Sequence, residues 1–87
     1  MRKPLNFAIL EHFIKTDEAC ADDIVQALKN DYSGLKFFTK KYITEALFTA
    51  EKNGLITETK VDADNVGNLK IYYTSDDDAK ETIKKYI

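Results

Sequence analysis

Eighty-seven residues, 44% of them hydrophobic, give room for one packed core and no second. A formal charge of −2 and a pI near 5.3 exclude a protein that coats nucleic acid indiscriminately. No apolar run approaches the ~20 residues of a membrane span, no signal-peptide pattern follows Met1, and the lone Cys20 excludes an internal disulfide. The expectation is one cytoplasmic domain over residues 1–87, without membrane association.

Pro4 suits the first turn of a helix, where its missing N–H costs nothing. Leu5, Ala8, Ile9 and Phe13 then share a face through about Lys15, with His12 at its edge. Thr16-Asp17-Glu18 breaks that pattern, and Ala19-Cys20-Ala21 is a short apolar stretch able to add one brief strand to a sheet. Cys20, with no histidine or second cysteine nearby in the chain, reads as a small buried residue rather than a ligand. A second helix is expected from Asp22-Asp23, whose carboxylates favour the positive end of a helix dipole, with Ile24, Val25 and Leu28 turned inward. Adjacent residues on a helix diverge by about 100°, so the Asp pair reads as a helix start rather than a catalytic or metal-binding pair.

A connection over residues 30–38 contains Ser33-Gly34, and Tyr32, Leu35, Phe37 and Phe38 make it apolar enough to pack against the core. Thr39 is a suitable N-cap for a third helix over residues 40–52, with Ile43, Leu47 and Ala50 inward. Asn53-Gly54 stops that helix by supplying a left-handed residue at little cost. The hydrophobic period then changes at once. Residues 55–61 and 69–74 are strand-like, rich in β-branched and aromatic side chains, and the polar residues 62–68 join them. An EF-hand would need an oxygen ligand at its fifth position and Glu at its twelfth, where Val66 and Tyr73 stand, so this segment reads as a hairpin tip and not a calcium loop. Ser75 is expected to cap a last helix opening with Asp76-Asp77-Asp78, with Ala79, Ile83 and Ile87 along one face.

The order of helix, short strand, helix, helix, two-stranded hairpin and helix resembles the winged-helix DNA-binding domains of bacterial regulators, especially the PadR and MarR types. The resemblance is clearest over residues 39–83. Ile43, Leu47, Ala50 and Gly54-Leu55-Ile56 match the family's apolar spacing, with Ala50 where Leu is commoner. Ile71-Tyr72-Tyr73-Thr74 is similar to the ending of its second wing strand. The resemblance implies an α+β fold: a winged helix-turn-helix with a three-helix core, a two-stranded β-hairpin wing and a short C-terminal helix. It also implies a small transcription regulator that binds double-stranded DNA sequence-specifically, third helix in the major groove and hairpin tip along the backbone or minor groove.

Helical spacing picks contact residues independently. With Ile43, Leu47 and Ala50 inward, Lys41, Glu45, Phe48 and Lys52 point outward, flanked by Lys40 and Thr44. Residues 33–49 hold Lys36, Lys40 and Lys41 against Glu45, a net of +2, whereas residues 17–32 hold Lys29 against five acids, a net of −4. The lysines are expected to meet phosphates, Thr44 and Glu45 to reach base edges, and Tyr42 to offer its hydroxyl to a phosphate. In the wing, Lys60, Asn65, Asn68 and Lys70 are expected backbone contacts, while Asp62 and Asp64 would repel phosphate. Phe48 is the alternative signal: a winged-helix module that binds a protein partner through Phe48 instead of DNA. Tyr86 and Ile87, with the last helix, are the expected homodimer contact. No Ser/His/Asp arrangement, Cys/His pair, phosphate-binding glycine loop or metal-ligand spacing is present, so neither an enzyme nor a cofactor is implied.

Overall fold

Three apolar helix faces and one strand edge meet at a single centre. The computed structural model describes residues 4–63, 67 and 69–86, with only the backbone of Tyr86. In chain order these form α1 (Leu5–Lys15), α2 (Ala21–Tyr32), α3 (Lys40–Lys52), β1 (Thr57–Ala63), β2 (Leu69–Thr74) and α4 (Asp77–Tyr86). Leu5, Ala8, Ile9 and Phe13 of α1, Ile24 and Tyr32 of α2, and Ile43, Leu47 and Ala50 of α3 are buried together with Ile56 and Tyr73. Leu28, expected inside, is half-buried around that centre, as are Leu55 and Ile71. α1 packs against α2 and α4, and α2 against α3 and β2.

The helix ends refine the sequence reading. Pro4 precedes α1 rather than filling its first turn, and its carbonyl accepts from the N–H groups of Phe7 and Ala8. α2 begins one residue early, at Ala21, because Asp23 turns back to accept the Cys20 N–H at 3.1 Å. The third helical position thus satisfies an orphan donor as well as the dipole. α2 also runs on to Tyr32, shortening the connection expected from residue 30. α3 occupies the expected residues, with Thr39 Oγ1 accepting the Tyr42 N–H at 3.0 Å. At its other end Gly54, at φ +78°, donates to Glu51 O while Leu55 donates to Ala50 O. This paired closure satisfies two carbonyls left open by the helix.

Strand β1 starts at residue 57, two later than expected, because Leu55 completes that closure and Ile56 turns into the core. β1 and β2 are antiparallel, from Thr57↔Thr74 to Ala63↔Leu69, with a bulge between Glu58 and Lys60. Ala19 exchanges both backbone hydrogen bonds with Tyr73, so the predicted brief strand is a single bridge on the free side of β2. β1 is exposed along its length because the apolar contacts of the hairpin with the body come from β2, through Ile71 and Tyr73, while β1 reaches the body by polar contacts of Thr59 and Lys60 with Glu18. Ser75 does not cap α4. It is buried and donates to Leu55 O at 2.8 Å, whereas Asp76 Oδ1 accepts the Ala79 N–H at 2.8 Å and is the actual cap.

Candidate nucleic-acid interface

α3 opens against a local rule. Helix starts favour acids, as α2 and α4 show with their Asp pairs, yet α3 has no acid in its first turn and begins Lys40-Lys41. Positive charge at the positive end of a helix dipole is unfavourable by a few tenths of a kcal/mol to about 1 kcal/mol per charge unless an anion lies near. Within the chain that anion is Asp22, whose Oδ1 lies 3.1 Å from Lys40 Nζ. Its Oδ2 lies 4.0 Å from Lys70 Nζ, so one carboxylate joins the start of α3 to the wing. Lys60, farther along the wing, lies 3.7 Å from Glu18 and 4.0 Å from Asp62, with its ammonium 4.7 Å from the Tyr72 ring centre. All three lysines keep about half of their side-chain surface in solvent. Exposed pairs of this kind contribute about 0–1 kcal/mol, so an incoming phosphate competes with them on nearly even terms.

The outward face of α3 is ordered as its spacing requires. Lys41, Glu45, Phe48 and Lys52 are exposed and Thr44 is half-buried. Lys36, in the connection before the helix, is exposed too. Glu45 stands on the edge nearer α1, at a groove of about 380 Å³ that Asn6, Tyr42, Thr49 and Asn53 also line. The Tyr42 hydroxyl donates to Asn6 Oδ1 at 2.8 Å, so its proton is engaged by α1 and a phosphate would have to displace that bond. Phe37 covers Tyr42, with ring centres 5.3 Å apart, and Phe38 stacks on Tyr32. Neither covers Phe48, which is 42% exposed beside Leu69 of the wing, itself 60% exposed.

The wing gives Lys60 and Lys70, on opposite strands, to the same surface as Lys40. The candidates Asn65, Asn68 and Ile87, the Tyr86 side chain and Asp64 lie outside the described residues. Ile83, on the inward face of the last helix, is fully buried in the core as expected, with α4 packed on α1. Among the described residues no cluster of His, Cys, Asp or Glu is arranged to hold a metal ion, and no helix is long and apolar enough to cross a membrane. Sequence reasoning missed Asp22, read only as a dipole partner, and Leu69, read only as a strand residue. The lysine excess at the start of α3, which needs a counter-charge, was the available signal for Asp22.

No protein-family model matches the sequence, and no curated protein matches it. Among solved structures, Bacillus subtilis PadR in complex with operator DNA superimposes with a TM-score of 0.73 at 23% identity, covering 97% of this chain and 46% of that one. A PadR-like transcriptional regulator from Bacillus cereus superimposes with a TM-score of 0.67, also at 23% identity, covering 94% of this chain and 76% of that one. The chain therefore spans about half the length of the Bacillus subtilis protein. With its three-helix core, antiparallel hairpin and closing helix, the chain has the winged-helix fold of PadR-like transcriptional regulators.

Proposed function

We propose that the chain binds double-stranded DNA sequence-specifically as the DNA-reading part of a transcription regulator, acting in the cytoplasm and without catalysis. The observation that carries this reading is the convergence of Lys40, Lys41 and Lys70 on the start of α3 in a protein of net charge −2. Helix starts attract phosphate through their unpaired N–H groups and dipole, and lysines there add charge. In this reading α3 enters the major groove. Lys36, Lys40 and Lys41 hold one phosphate run, Lys60 and Lys70 with Asn65 and Asn68 another, and Thr44 and Glu45 face bases. That Bacillus subtilis PadR has been seen with operator DNA supports the same use of the fold.

A second reading, a winged-helix module for a protein partner, is favoured by one observation, the exposure of Phe48 beside Leu69. Fluorescence anisotropy with random-sequence duplex DNA separates the two. Binding at ~50 mM salt that weakens steeply as salt rises supports DNA, because phosphate contacts release counterions. Absence of duplex binding at that salt overturns it. Phe48→Ala that keeps duplex affinity but loses a protein captured by the wild type would favour the module.

A further inference from the structure

We propose, resting on the DNA reading above, that Phe48 and the depression beside it read thymine 5-methyl groups, making Phe48 a specificity-determining residue of α3. Lys40, Thr44 and Phe48 are spaced by four residues and so lie along one stripe of the helix. Thr44 and Phe48 are separated by about 6 Å along the axis, close to two base steps of about 3.4 Å each. A stripe that begins with a lysine on a phosphate therefore sets its next two side chains against bases two steps apart. Both carry apolar surface, and the apolar feature a base edge presents in the major groove is the thymine methyl.

The depression is bounded by Thr44, Leu47 and Phe48 on α3 and by Leu69 and Ile71 on β2, with Lys40 and Lys70 also lining it. It holds about 60 Å³, room for roughly two water-sized groups. A methyl group fits that space. The space is small for the aromatic anchor of a protein partner, and the exposed apolar side chains around it among the described residues are three, Phe48, Val61 and Leu69, against about 20–30 residues per side in a stable protein interface. Asp22 also lines the depression and pairs with both lysines, so a flanking phosphate would take up Lys40 and Lys70 by displacing these exposed and weak pairs.

The test starts from a random-centre duplex pool, carried through rounds of selection on the wild-type chain. The enriched sequence is then synthesised with thymine and with uracil, which lacks only the methyl. The wild type is expected to bind the uracil duplex about four-fold more weakly for each methyl it buries. Phe48→Ala, which leaves the core intact because Phe48 lies outside it, should bind both forms alike and near the wild-type affinity for uracil DNA. Phe48→Leu should retain part of the discrimination. Tight wild-type binding with no difference between thymine and uracil overturns the methyl reading and leaves DNA binding standing. Failure of the pool to yield any bound duplex overturns both.

Discussion

Asp22 is the residue on which the electrostatics of this surface turn. It pairs with Lys40 and Lys70 together, so in the proposed DNA complex it would compete with a phosphate for both lysines. Asp22→Asn is expected to raise duplex affinity by about two- to ten-fold at low salt, the scale of releasing two exposed pairs. Lys40→Ala with Lys41→Ala should act oppositely, weakening binding similarly across sequences. It should also flatten the slope of log affinity against log salt by about two units if each lysine meets one phosphate. Thr44→Ala or Glu45→Ala should instead shift sequence preference, by about 1–3 kcal/mol if either reads a base edge. His12 gives the surface of α1 a separate sensitivity. Burial lowers its pKa from the ordinary 6.5, with Lys15 adding to the effect and Asp23 opposing it. The unfolded chain therefore takes up the proton before the native one does, so His12 costs nothing above that value and destabilises the fold as pH falls below it. Melting temperature should decline as pH falls below about 6.5, and His12→Gln should flatten that decline.

At the scale of elements, the ends of α3 were the most legible part of the chain. Thr39 and Asn53-Gly54 act through bonds to their immediate neighbours, which local sequence can specify. Thr39→Ala should cost about 1 kcal/mol in chemical denaturation, with the midpoint shifted and the slope unchanged. Ser75 was misread because its partner, the Leu55 carbonyl, is 20 residues away. A serine followed by three acids looks the same whether its hydroxyl caps the helix or leaves it for a distant acceptor. The pairing of Asp22 with Lys40 and Lys70 was hidden for the same reason: both lysines are far along the chain, and only the packing of α2 against α3 and β2 brings them together. The outward placement of Lys41, Glu45 and Phe48 was readable from periodicity, but whether Phe37 or Phe38 would cover Phe48 depended on the path of the connection.

For the molecule as a whole, the count of copies on DNA follows from where apolar surface remains. Ile83 anchors α4 on α1, and the proposed contact with a second copy is left to Tyr86 and Ile87. A homodimer assembled on DNA, with two half-sites about one helical turn apart holding two third helices, is the arrangement proposed. Light scattering should report a dimer in free solution at high micromolar concentration, where monomer alone would count against the homodimer, and two copies per duplex that carries paired half-sites. A single copy on such a duplex would refute that assembly. The core itself is small enough to be sensitive: Ile83→Ala should lower stability by about 2–5 kcal/mol, a large share of what a domain of this size has.

The hydrogen bond from Ser75 to the Leu55 carbonyl ties together the two chain segments that enter and leave the wing. The hairpin is thus a loop whose mouth is held shut by a buried contact, independent of what lies at its far end. For a loop closed in this way the entropic cost grows only with the logarithm of its length, about 0.6 kcal/mol for each doubling. Residues added near Gly67 would lengthen the reach of the hairpin while α3 and its neighbours kept their places. The distance over which such a domain touches its partner can therefore be retuned by insertion, with the fold bearing little of the consequence.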